Sequence, residues 1–144
     1  MKSFRDLEIY QKAYNLALEV HKMSLALPKY ELYEQGSQIR RASKSIKDNI
    51  VEGYGRKRYK DDFIRFLTYS QSSCDETIAQ LSMISDIHFP NEPLTDLMNE
   101  YDSLDKKINK FIQYVESNWK TSKQATRNQK PATTKLSKEV DNRN

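Results

Sequence analysis

Side chains able to do nucleophilic or acid–base chemistry are scarce in this 144-residue chain, which has one cysteine, Cys74, and two histidines, His21 and His88. A nucleophile needs a base within hydrogen-bond reach, and a metal or general-acid site needs several such groups converging. Here the three fall in two separate periodic segments. Cys74 occupies an apolar position, where a small buried thiol is the commoner use of the residue. His88 ends its segment just before Phe89 and Pro90, a place for a terminal capping or surface histidine. Glu52, Asp61 and Asp62 do not form the paired Glu-x-x-His arrangement of di-iron bundles. Neither a phosphate-cradling glycine loop nor a nucleophile elbow occurs. The reading is a non-enzyme with no metal and no cofactor.

The basic groups offer a different chemistry. Arg56, Lys57, Arg58 and Lys60 crowd a short joint beside Tyr54 and Tyr59, a combination suited to phosphate contacts with stacking rings. Arg40 and Lys44, one helical turn apart, would extend that patch toward RNA or DNA. The plain alternative is a basic helix end that complements the helix dipole and the acidic segment after it. Charge distribution keeps both open. Residues 120–144 hold seven basic residues against Glu139 and Asp141, a balance of +5, so residues 1–119 carry −1 of the overall +4. Arg40 to Arg65 holds nine basic and four acidic residues, whereas Phe66 to Asp105 holds eight acidic residues and no Lys or Arg. Such polarity fits assembly between copies as well as a polyanion partner.

Four apolar stripes must position these groups. Ile9, Ala13, Leu16, Val20, Met23 and Leu27 predict a helix from about Phe4 to Leu27, with Ser3 as N-cap and Pro28 as stop. Ile39, Ala42, Ile46, Ile50 and Gly53 predict a second from about Leu32 to Tyr54, ended by Gly53 and Gly55. Phe63, Leu67, Ser70, Cys74, Thr77, Leu81, Ile84 and His88 predict a third from about Lys60 to Ile87. Leu94, Leu97, Tyr101, Leu104, Ile108, Phe111, Val115 and Trp119 predict a fourth, with Pro93 in its first turn. Short joints make neighbouring helices antiparallel, so residues 1–119 are expected to form an all-α, up-down-up-down four-helix bundle. Residues 120–144 lack apolar periodicity and read as a disordered basic tail. No apolar run has signal-peptide or membrane-spanning length, which predicts a cytoplasmic protein without a membrane partner.

Beside the apolar stripe of the second helix runs a polar one, Gln38, Arg41, Ser45, Asn49, Glu52 and Arg56. Its mixed amide, hydroxyl, acid and guanidinium groups suit a hydrogen-bonded seam within the bundle or between subunits. A solvated face and a ligand site are the other readings. Tyr10 and Tyr14, with Ala17, widen the apolar arc of the first helix beyond one core, which points to a homo-oligomer.

The run Ser37-Gln38-Ile39-Arg40-Arg41-Ala42-Ser43-Lys44-Ser45-Ile46-Lys47-Asp48-Asn49-Ile50-Val51-Glu52-Gly53-Tyr54-Gly55-Arg56 resembles the signature of a bacterial four-helix bundle family. Genes of that family were first noticed in intervening sequences of large-subunit ribosomal RNA genes. Phe4 to Ala13 is similar to the family's opening, as is Phe63 to Leu67 leading to Ser72–Thr77, so the resemblance spans residues 1 to about 119. It implies a ring-like homopentamer of undetermined role. The accessory proteins of diversity-generating retroelements, which bind a reverse transcriptase and nucleic acid, are more distantly similar. The chain departs from the pattern at Lys47, where Pro is frequent, and at Val51, where Ala is. The expected function is a non-catalytic oligomeric interaction or scaffold protein whose partners are itself and another protein. The alternative is a nucleic-acid-binding accessory protein that uses the basic joint.

Overall fold

A computed structural model describes residues 3–120; residues 121–144, where the disordered tail is expected, lie outside the described part. Four α-helices carry the fold: α1 (Glu8–Ser24), α2 (Gln35–Gly55), α3 (Lys60–His88) and α4 (Thr95–Asn118). Each packs on its sequence neighbours, α2 and α3 lie closest together, α1 and α4 close the ring less tightly, and the diagonal pairs barely touch. That is the square, antiparallel bundle the stripes predict, and no strand occurs among the described residues. Its centre is filled by Ile39, Ile46, Ile50, Phe63, Leu67, Leu81, Tyr101, Leu104 and Ile108, all removed from solvent. Each large apolar side chain so buried contributes about 1.5–3 kcal/mol.

Three details differ from the periodicity. The first helix does not run unbroken from Phe4. Ser3 makes a capping box with Asp6, but the box closes a single 3-10 turn, Phe4–Asp6. Leu7 then takes an extended conformation and buries its side chain before α1 begins. At the other end, α1 stops at Ser24, and Leu27 is buried from the following turn. The second helix starts at Gln35 instead of Leu32, because Lys29–Glu31 forms its own 3-10 turn after Pro28.

Gly53 is the third. It does not terminate α2; it lies buried inside it, where an added Cβ would stand 3.1 Å from the Phe66 Cβ and 3.3 Å from the Phe63 ring. The missing side chain lets α3 approach. Ser70 completes the contact, its hydroxyl donating across the interface to the Ile46 carbonyl at 2.8 Å. A buried hydroxyl needs such a partner, and Ser70 finds its own on the neighbouring helix, whereas Thr77 donates to the Ser73 carbonyl within α3.

Both ends of the bundle are closed by specific contacts. Where α2 ends and α3 begins, the Trp119 indole donates to the Lys57 carbonyl at 3.1 Å and its ring packs edge-on against Phe63. Lys60 donates to the Glu116 carbonyl at 2.6 Å, capping the last turn of α4. At the opposite end, Ser85 accepts from the Leu94 backbone N–H and fixes the entry to α4.

Candidate functional site

The polar stripe of α2 divides between two environments. Ser45 meets Ser73 of α3 at 2.9 Å, and Asn49 donates to the Ser45 carbonyl and hydroxyl at 2.9 and 3.0 Å. These groups form a half-buried seam inside one subunit. Gln38, Arg41 and Glu52 do not join it. Gln38 is exposed, Arg41 donates to Ser37 one turn back, and Glu52 pairs with Arg56 at 3.0 Å. Beside the seam, Arg41, Lys44, Ser45, Asp48, Asn49, Glu52 and Phe66 line an open trough of about 760 Å³. Its two cations, Arg41 and Lys44, lie toward the start of α2 and its two carboxylates, Asp48 and Glu52, toward the end, so the charges cancel over the whole trough.

The six basic residues expected to form one patch are dispersed. Arg40 is spent on structure: its guanidinium donates to the Ser24 hydroxyl at 2.8 Å and to the Leu32 carbonyl at 2.7 Å, tying α1 to α2. It also stands 16 residues before Arg56 on the same helix, roughly 24 Å away at the helical rise. Lys44 lies in the trough, 12 residues before Arg56, and does not extend the joint. Within the joint, Arg56 pairs with Glu52 and Asp62 and lies over the Phe66 ring. Lys60 caps α4. Lys57 and Arg58 keep exposed side chains, each over a tyrosine ring, Tyr54 and Tyr59 respectively. The joint thus follows the plain structural reading at Arg56 and Lys60 and leaves two outward cations.

The reactive groups are committed elsewhere. Cys74 is fully buried, its thiol directed at the Tyr101 carbonyl at 3.4 Å. Burial first, then the nearby carboxylates of Asp105, Asp75 and Asp102, push the thiol well above its ordinary range, so it stays protonated. The Tyr101 hydroxyl is raised likewise by burial. His88 is the last residue of α3, as expected, but it is not a surface histidine: it pairs at 2.6 Å with Glu31, and both side chains are nearly buried. At the α3/α4 boundary, burial and the adjacent Asp75 push the Asp105 carboxyl up to about 6.

Among the outward-facing apolar side chains, one group follows α1 into its C-cap. Tyr14, Leu18 and Leu25 follow one another at helical spacing with exposures between 43% and 61%. Tyr10 adjoins them, in ring contact with both Phe4 and Tyr14. Ala17 belongs to the core, so it is Leu18 and Leu25 that widen the arc. No helix among the described residues is long and apolar enough to cross a membrane.

Sequence reasoning missed Ser73, the Glu31–His88 pair and Asp105. Small hydroxyl residues on α3 were the available signal for Ser73. The pair joins positions 57 residues apart and leaves no periodic trace.

No curated protein matches the chain at a significant level. The antiparallel bundle and the Ser45–Asn49 seam are instead accompanied by a family match over most of the chain. Residues 5–110 fit the family model described as 23S rRNA-intervening sequence protein, and the chain belongs to that family.

Proposed function

We propose that this protein works without catalysis, as a self-associating scaffold that presents a second surface to another macromolecule, and that its assembly is a homopentamer. The observation that carries the reading is the α1 stripe. Tyr14, Leu18 and Leu25 are too numerous and too regularly placed to be scattered surface residues, and a bundle whose core is already full has no use for them within one subunit. The number five comes from the resemblance to the intervening-sequence bundles. The non-catalytic part is supported by how the reactive groups are used: a protonated, buried Cys74 and a His88 held by Glu31. A cytoplasmic location belongs to the same reading.

Light scattering on the full-length chain tests it, run with and without RNA. The expected mass is near five times 17.0 kDa. A mass that stays at one chain over the whole accessible concentration range would reject self-association.

A further inference from the structure

An open groove of about 430 Å³ lies between the start of α1 and the second half of α4, with Leu7 and Ile9 on one side and Phe111 and Tyr114 on the other. It arises from a difference in length. Glu8, the first residue of α1, pairs with Lys107 at 2.8 Å, and α4 continues eleven residues beyond Lys107 to Asn118. At the helical rise that is roughly 16 Å of α4. Leu7 and the 3-10 turn flank it there, and they leave Phe111 half-buried and Tyr114 49% exposed. The two rings stack at 6.0 Å, which makes that side of the groove a flat apolar wall.

The chain leaves the described part beside this wall. Tyr114 meets Trp119 edge-on at 6.3 Å, and Lys120 follows. From there to residue 144 the sequence is basic and polar with one exception. Leu136 and Val140 are its only large apolar residues, and Glu139 and Asp141 its only carboxylates. Solubilising charge alone uses neither kind. The four-residue spacing of Leu136 and Val140 suits one side of a helical turn. Fifteen residues separate Lys120 from Leu136 and can span about 50 Å when extended, well beyond the far end of the groove. A segment tethered so near meets the groove at millimolar effective concentration, which favours the same chain over another. Charge does not oppose the contact. The groove balances Asp6 and Glu8 against Lys107 and Lys110, and the segment balances Lys135 and Lys138 against Glu139 and Asp141.

We propose that Leu136 and Val140 seat in the groove of their own chain, against Leu7, Phe111 and Tyr114, and so turn the tail back along α4. The inference does not depend on self-association. It also divides the tail by use. Lys123, Arg127 and Lys130 then belong to a loop anchored at both ends, which starts where the Trp119 indole binds the Lys57 carbonyl.

Hydroxyl-radical footprinting of the full-length chain tests this by comparing wild type with Leu136→Ser/Val140→Ser. Both substitutions lie outside the bundle, so the helices are expected to be unchanged. Tyr114 is expected to be oxidised about two-fold more slowly in wild type, as covering half of its exposed ring requires. Tyr69, 47% exposed on α3, is the internal reference and is expected to react equally in both. Amides of residues 133–141 are expected to exchange with deuterium about ten-fold more slowly in wild type than in the variant. Equal oxidation of Tyr114 in the two proteins overturns the inference, and so does equal exchange of those amides. To separate the chain's own tail from a neighbour's, isotope-labelled double variant is unfolded and refolded together with unlabelled wild type. Its Tyr114 is expected to stay as reactive as in the variant alone. Protection of the labelled Tyr114 would place the tail on a neighbouring copy and overturn docking within one chain.

Discussion

Glu31 Oε2 and His88 Nε2 lie 2.6 Å apart, joining the 3-10 turn between α1 and α2 to the last residue of α3. The Tyr30 ring packs beside the imidazole at 6.3 Å. Both side chains are nearly out of solvent, so removing one leaves its partner without a hydrogen bond in a place water reaches poorly. His88→Ala and Glu31→Ala are each expected to cost about 1–3 kcal/mol in urea unfolding. The double variant is expected to cost less than the sum of the two. Additive losses would show that the residues act separately.

The α2/α3 approach makes its own test. In Gly53→Ala the new methyl group meets the backbone-proximal Phe66 Cβ at 3.1 Å and the Phe63 ring and carbonyl at 3.3 Å. Those atoms belong to a packed helix and cannot swing aside, so overpacking is expected to destabilise by about 1–3 kcal/mol. A helix interior ordinarily favours Ala over Gly, and a gain in melting temperature would mean that the interface is looser than its geometry.

Asp105 predicts a pH dependence. Its carboxyl is raised from 3.8 to about 6, chiefly by burial and then by the hydrogen bond and charge of Asp75, while Gln71 acts in the opposite sense. The folded protein therefore holds this proton more tightly than the unfolded chain does. The stabilising contribution is complete below about pH 3.8 and disappears as pH rises through about 6. Asp105→Asn is expected to remove the dependence and to be more stable than wild type at pH 7, by roughly 1 kcal/mol once solvent screening of a partly exposed group is allowed for. Melting curves at pH 5 and 7 check it. Parallel shifts in the two proteins would assign the effect to other groups.

The outward cations of the joint separate the scaffold reading from its competitor. Lys57→Ser/Arg58→Ser leaves the Arg56 ion pairs and the Lys60 cap in place, so fold and assembly mass are expected to be unchanged. RNA and DNA affinity at low salt is the informative measurement. A loss across all sequences, with the log–log salt slope falling by roughly 0.9 per duplex phosphate contact removed, would favour the nucleic-acid accessory role. A parallel variant lacking residues 121–144 reports on the lysines of the tail.

Much of the architecture was legible in periodicity alone. Ile39, Ala42, Ile46 and Ile50 on α2, and Phe63, Leu67, Cys74 and Leu81 on α3, are buried as their three- and four-residue steps require. Helix existence follows from local spacing because every amphipathic turn must bury the same side. Helix ends were less legible. Ser3 and Asp6 form their capping box, yet on a 3-10 turn, because the burial of Leu7 outweighs continuation of the helix.

The functional groups divide along the same line. That Ser45 and Asn49 share one face of α2 follows from their four-residue spacing, which is a property of the helix. It took the packing of the helices to show that Ser73 completes their seam, that Arg40 serves Ser24 and Leu32, and that Glu31 occupies His88. A side chain's partner depends on which helix lies opposite and in what register. Between α2 and α3 the packing of Gly53 against Phe63 and Phe66 brings the two backbones together, a contact that no local pattern encodes.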